Sequence, residues 1–236
     1  SRGIKKGDKV AILLMNCLEW LPLYFGILKT GALVVPMNYR YSADEIQYCA
    51  NLADVDAMFF GPEFIGRVEE SIDAMPKLKL LILSGSPVTD ISPLTGLAEL
   101  EFVELAFCGN LRDLTPLSTA MGLTKLDVSY NSLTTLAPIA SCVKLNWIDA
   151  DNNQLTNVNG VDVLPLLDYL SMDYNQLTNV NALASCAELT NLSIANNSIT
   201  DISALTALTN VEILDFSYND VANLPKWEAS TALQVI

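Results

Sequence analysis

Histidine is absent from the 236 residues, and the five cysteines contain no CxxC pair. Cys–His and Ser–His nucleophilic pairs and ordinary zinc sites are thereby removed from consideration. The chemistry that remains is recognition. Phe102, Lys125, Trp147 and Tyr169 follow one another at intervals of 23, 22 and 22 residues. Glu104, Asp127, Asp149 and Asp215 stand two residues after positions of the same series, and Asp151 and Asp173 two residues further on. If the chain coils once per interval, these residues stack in columns on one face. Aromatic side chains anchor binding surfaces, and carboxylates pair with Lys or Arg. The candidate partner-binding set is therefore Phe102, Glu104, Lys125, Asp127, Trp147, Asp149, Asp151, Tyr169, Asp173 and Asp215, with a protein or peptide as partner and a basic segment the best complement. Trp147 and Tyr169, one interval apart, are expected about 5 Å from each other. The competing reading is a solvated face on which the aromatics have no partner.

Two motifs offer other chemistry and fail on spacing. DADNN (149–153) begins like a calcium loop, but Gln154 takes the required glycine position and Gly160 that of the bidentate glutamate. An EF-hand is rejected; only a looser calcium site across Asp149, Asp151 and Asp173 stays open, and no metal or cofactor is assigned. GILKTGAL (26–33) has the two glycines of a phosphate loop followed by Ala32 and Leu33 where Lys and Ser/Thr must stand, so Gly31 reads as a helix stop. Cys142 and Cys186 are 44 residues apart, two intervals, which places them about 10 Å from one another and beyond disulfide reach. The cysteines read as small buried apolar residues.

The interval itself comes from LTKLDVSYNSLTTLAPI (123–139). Leu123, Leu126, Val128, Asn131, Leu133, Leu136 and Ile139 spell the leucine-rich repeat pattern. The frame returns at Leu145, Ile148, Ala150, Asn153, Leu155, Val158 and Val161, and again through Asn175, Asn197 and Asn219. Backwards it reaches Leu100, Val103, Leu105 and Cys108, where one extra residue displaces Leu111, Leu114 and Leu117. A first repeat runs through Leu78, Leu81, Leu83, Ser86, Val88, Ile91 and Leu94. Each repeat gives one short strand, a turn and a loose return on the convex side. The asparagines are expected to bond turn backbone as an internal ladder. TDISPL (89–94) and TDISAL (200–205) resemble the bacterial internalin-like class of 22-residue repeats, a class compatible with a cell-surface or secreted protein.

The N-terminal piece reads differently. KVAILLMN (9–16), ALVVPMN (32–38) and DAMFFG (56–61) are apolar strand runs. Helices are expected over 17–31, over 42–55 behind a Ser42/Glu45 capping box, and over 62–75 with Pro62 at its start. GIKKGDKVAILLMNCLEW, YFGILKTGALVVPMNYRYSADEI and PKLKLLIL resemble the opening of the adenylate-forming acyl-CoA synthetases, over about residues 3–83. That resemblance implies ATP, a carboxylic acid and transfer of an acyl group to a thiol. The family's phosphate-binding loop, its later nucleotide-binding motifs and its C-terminal catalytic lysine have no counterpart here, so none of its catalytic residues can be placed and no enzyme is expected.

The fold class is thus α/β: a leucine-rich repeat solenoid with a continuous parallel sheet, preceded by a small βαβαβα fragment that acts as an N-terminal cap. The division is expected at 1–77 and 78–236, with seven repeats and a last repeat cut at Leu233 and Ile236, a pattern suggesting a truncated or engineered fusion. The alternative function is a fragment of an adenylate-forming ligase module, inactive as it stands. Charge follows the same division. Residues 1–84 carry 9 basic and 10 acidic residues, residues 85–236 carry 4 and 17. So acidic an array repels phosphates and anionic headgroups, which sets nucleic acid and membranes aside as partners. Glu19 and Pro22 interrupt the first apolar run, leaving no signal segment or membrane helix to expect.

Overall fold

The computed structural model describes residues 4–15, 17–18, 20–72, 75, 77–82, 88–227 and 234–235. The N-terminal elements are β1 (Lys9–Leu13), α1 (Trp20–Thr30), β2 (Leu33–Pro36), α2 (Ala43–Ala53), β3 (Ala57–Phe60) and, after a 3-10 turn at Pro62–Phe64, α3 (Ile65–Ile72). Helix α1 ends at Gly31, whose φ of +83° is open to glycine at little cost. The Ser42 hydroxyl accepts from the Glu45 N–H and the Glu45 carboxylate accepts from the Ser42 N–H at 2.9 Å, the expected capping box. The helices are shorter than the sequence suggests. Pro62 begins a 3-10 turn, with the α-helix following it.

From residue 80 onwards each repeat supplies one three-residue strand: β4 (Leu80–Ile82), β5 (Phe102–Glu104), β6 (Lys125–Asp127), β7 (Trp147–Asp149), β8 (Tyr169–Ser171), β9 (Asn191–Ser193) and β10 (Ile213–Asp215). With β11 (Gln234–Val235) the described strands form one parallel sheet in the order β11-β10-β9-β8-β7-β6-β5-β4-β3-β1-β2. The repeat array and the α/β piece therefore share a sheet across the β3–β4 pair, in which Ala57 stands opposite Leu80 and Met58 opposite Leu81. Leu83, Ser84 and Ser86 of the first repeat and Leu233 and Ile236 at the far end lie outside the described residues.

Strand alternation divides the core in two. Ala11, Leu13 and Met58 face the side carrying α2 and α3, and their cluster runs on through Val103, Leu126, Ile148, Leu170 and Leu192 to Leu214. Val10, Ile12 and Ala57 face the other side and pack under α1 through Ile27, Trp20 and Tyr24. On the convex side the return segments are mostly 3-10 turns, such as Thr115–Thr119, Ala137–Ser141 and Asn181–Ser185. Pro116 and Pro138 at the starts of the first two favour that geometry.

The polar ladder forms as expected. The Asn153 amide donates to the carbonyls of Val128, Ala150 and Asp151, and its Oδ1 accepts from the Leu133 N–H at 3.0 Å. Asn175, Asn197 and Asn219 repeat this set with Leu155, Leu177 and Ile199. Asn131 makes the three donor bonds, but its buried Oδ1 has no partner. The turn differs at the extra residue after Cys108, where the Asn110 N–H donates to the Cys108 carbonyl while the Leu111 carbonyl still accepts from the Ser132 N–H at 3.0 Å. Cys108, Cys142 and Cys186 are buried; Cys17 is exposed and Cys49 half-buried, so the buried-apolar reading holds for the repeat cysteines alone.

Leu126 and Leu170 are 0% exposed, so either Leu→Ala substitution is expected to cost about 2–5 kcal/mol in a chemical denaturation curve, with amide exchange accelerated in the flanking repeats as well. Asn153→Ala is expected to destabilise more than Asn131→Ala in the same assay, since only the former strands a backbone N–H.

Candidate partner-binding face

Strand register carries one column of positions across the whole sheet: Val10, Ala57, Leu80, Phe102, Lys125, Trp147, Tyr169, Asn191 and Ile213. Where α1 covers it the column is core. Beyond β5 it becomes the open concave face. Trp147 and Tyr169 stack with ring centroids 5.0 Å apart and planes 11° from parallel. That separation matches the strand spacing, so the stack needs no distortion of the sheet.

Beside the stack stand the carboxylates, and each spends one oxygen on the fold. Asp127 Oδ1 accepts from the Ser129 N–H and hydroxyl. Asp149 Oδ1 accepts from the Asp151 N–H at 3.1 Å. Asp151 Oδ1 accepts from the Ser171 hydroxyl at 2.6 Å and the Asp173 N–H at 2.7 Å. Asp173 bonds Ser193 and the Ala195 N–H in the same way, and Asp215 accepts from the Ser217 N–H. The carboxylates are thus fixed in orientation. Their crowding is costly. Burial, and then the Asp151 carboxylate, push Asp149 up to about 7. Burial also raises Asp151 and Asp173.

Two expected members do not belong to the open face. Glu104 is 7% exposed, too buried to meet a partner. Phe102 packs against the cluster beneath α1. Both lie on β5, where Phe102 meets the far end of the apolar cluster that begins under α1, and the sequence could not say how far that cluster reached. Lys125 is exposed and borders the stack, while Asp215 lies two strands beyond β8. Among the described residues no three acidic or thiol groups converge well enough to hold a metal ion, which leaves the looser calcium reading without support. A cleft at the amino ends of β3 to β6 is lined by Lys5, Asp8, Asp56, Lys79, Glu101 and Lys125. It lies at the opposite strand end from the ligand crevices of open α/β sheets.

Sequence reasoning missed two surfaces. The first is a rim of residues preceding the repeat asparagine: Phe107, Tyr130, Asn152, Tyr174, Asn196 and Tyr218, all at φ between +53° and +56°. The signal was present as SYN (129–131), DYN (173–175) and SYN (217–219). The second is the outer side of α1, where Leu21, Phe25 and Leu28 are exposed, with Leu18 just before the helix. Its heptad-like spacing was visible, but which side of the helix met the sheet was not.

Residues 1–118 match the sequence model of the AMP-binding enzymes. The chain belongs to that family over its N-terminal half. The match reaches past β5 into the repeat frame. Residues 187–226 match a model for two leucine-rich repeats. A fatty-acid and 3-oxocholest-4-en-26-oate CoA ligase of Mycobacterium marinum is 29% identical over 82 residues, 35% of this chain and 15% of the ligase. The chain thus spans only a small part of the curated relatives it matches, and what it shares with this AMP-binding relative is a fragment. Among solved structures, internalin C2 of Listeria monocytogenes is 26% identical, with a TM-score of 0.56 over 61% of this chain and 74% of that one. The leucine-rich repeat protein LIC12759 of Leptospira interrogans has the same fold at a TM-score of 0.59 and 18% identity, over 83% of this chain and 57% of that one.

Asp149 gives this AMP-binding/repeat chain a measurable pH dependence. An aspartate of the unfolded chain titrates near 3.9 and the folded one near 7. A raised carboxylate favours the folded state while it stays protonated, so its contribution is complete below about pH 4 and is lost as pH rises towards 7. The melting temperature is expected to fall between about pH 4 and pH 7, and Asp149→Asn to flatten that fall while leaving stability below about pH 4 nearly unchanged. Parallel pH profiles for variant and wild type would show that Asp149 ionises normally.

Proposed function

We propose that the protein is a non-enzymatic interaction scaffold that binds an extended basic segment of a protein partner on the open concave face, with residues 1–77 closing the first edge of a repeat array over 78–236. The observation that carries this reading is the half-buried Trp147–Tyr169 stack on the open face, set among carboxylates each oriented through one oxygen. A guanidinium laid over the stack gains cation–π attraction and pairs with Asp127 or Asp149. Bringing a cation to crowded, partly protonated carboxylates relieves their mutual repulsion, which favours a basic partner over a neutral one. The strongly acidic array argues against nucleic acid and anionic membrane surfaces as partners.

A second reading has its own observation. The apolar side of α1 is exposed at Leu21 (59%), Phe25 (56%) and Leu28 (44%), as it would be in a piece of an adenylate-forming ligase domain separated from the rest of that domain. ATP–pyrophosphate exchange with any carboxylic acid would favour this reading over the scaffold.

Binding of fluorescein-labelled Arg- and Lys-rich peptides, followed by anisotropy, is expected to weaken by about a factor of ten or more in a Trp147→Ala, Asp149→Asn variant. It should also weaken with added salt and strengthen as pH rises through about 7 and Asp149 ionises. Equal affinity for the two proteins, or binding indifferent to salt, would move the site off this face.

A further inference from the structure

We propose that the rim of Phe107, Tyr130, Tyr174 and Tyr218 is a second docking surface, separate from the concave stack, and that its occupant is a proline-rich segment in the polyproline-II conformation. The backbone at this position is left-handed in every repeat from the second onwards, with φ from +53° to +56°. That conformation suits asparagine and is unfavourable for aromatic residues. Asparagine does occupy it at 152 and 196, so a purely structural requirement has a ready solution in this same chain. The other four positions carry aromatics whose side chains stay out of the core: Phe107 is 55% exposed, Tyr130 46%, Tyr174 57% and Tyr218 81%. Strain retained at exposed positions outside the core is characteristic of functional surfaces.

The spacing selects the occupant. Tyr130, Tyr174 and Tyr218 recur every second repeat, which at the strand spacing of a sheet is about 9.6 Å. A polyproline-II helix advances about 9.3 Å per turn of three residues. Its every third residue therefore meets a ring, three times in succession, without bending either partner. Phe107 stacks on Tyr130 at 4.0 Å and doubles the ring at one end. Between the rings stand Asn152 and Asn196, half-exposed, with side-chain amides that can donate. A polyproline-II backbone has no internal hydrogen bonds and presents bare carbonyls, and its prolines lack N–H groups. The amide and tyrosine hydroxyl donors of the rim answer that acceptor-rich backbone, as aromatic-lined grooves do elsewhere. Asp151 and Asp173, immediately before Asn152 and Tyr174, favour a segment that also carries Arg or Lys.

The test uses the full chain and a fluorescein-labelled decaproline with one terminal Arg, read by anisotropy. A triple variant, Tyr130→Asn, Tyr174→Asn and Tyr218→Asn, places at each site the residue the backbone already accepts at 152 and 196. It is expected to keep or raise the melting temperature while losing about tenfold or more in affinity. Trp147→Ala is expected to leave this affinity unchanged, so that failure of the concave reading and failure of this one are told apart. The proposal is overturned if the wild type does not bind the peptide at millimolar concentration, if the triple variant binds it equally well, if a Gly/Ser peptide of the same charge binds as tightly, or if a soluble β-linked glucan oligosaccharide is bound in its place.

Discussion

Parallel pairing of one three-residue strand per repeat leaves the turns with buried carbonyls and N–H groups that the sheet cannot satisfy. The asparagine ladder satisfies them. Each amide spans its own turn and the preceding repeat, three donor bonds and one acceptor at a time, as at Asn153 and Asn175. A buried amide missing one of these bonds would leave an unpaired polar group at a cost of about 1–3 kcal/mol, so the ladder holds the repeats to a single register. Everything exposed on the two faces inherits its position from that register. Trp147 meets Tyr169 because Asn153 meets Leu133.

The same register explains how two unlike sequences share one molecule. A parallel strand accepts any parallel strand with matching apolar faces. At β3–β4 the α/β piece offers Ala57 and Met58 to the first repeat. Its α2–α3 face continues into the leucine core, and its α1 face ends at Phe102. One side of the sheet is thus core at β1, β3 and β5 to β10, while the other passes from a helix-covered apolar surface to an open acidic one.

On that open side the aspartates combine two roles that conflict. One oxygen of each accepts hydrogen bonds that hold the strand ends together, and the charge on the pair is then confined beside like charges. Asp149 bears the largest consequence, because it is half-buried among Asp127, Asp151 and Asp173. A face built in this way is preorganised for a cation and under electrostatic strain without one.

The sequence alone determined the repeat frame, the buried leucines, the asparagine ladder and the strand–helix order of the first 72 residues, because each depends on local periodicity of 22, 2 or 3.6 residues. It also placed Trp147 against Tyr169, since a fixed period makes distant residues neighbours. Tertiary structure decided the rest. Glu104 and Phe102 were lost from the open face because burial at β5 depends on how far the packing on that side of the sheet extends, which no period encodes. Asn131 lacks one bond of the ladder beside the turn that carries the extra residue after Cys108. The aromatic rim appeared only when the backbone was seen to turn left-handed before each asparagine, a dihedral property that residue type suggests for Asn152 and conceals for Tyr174.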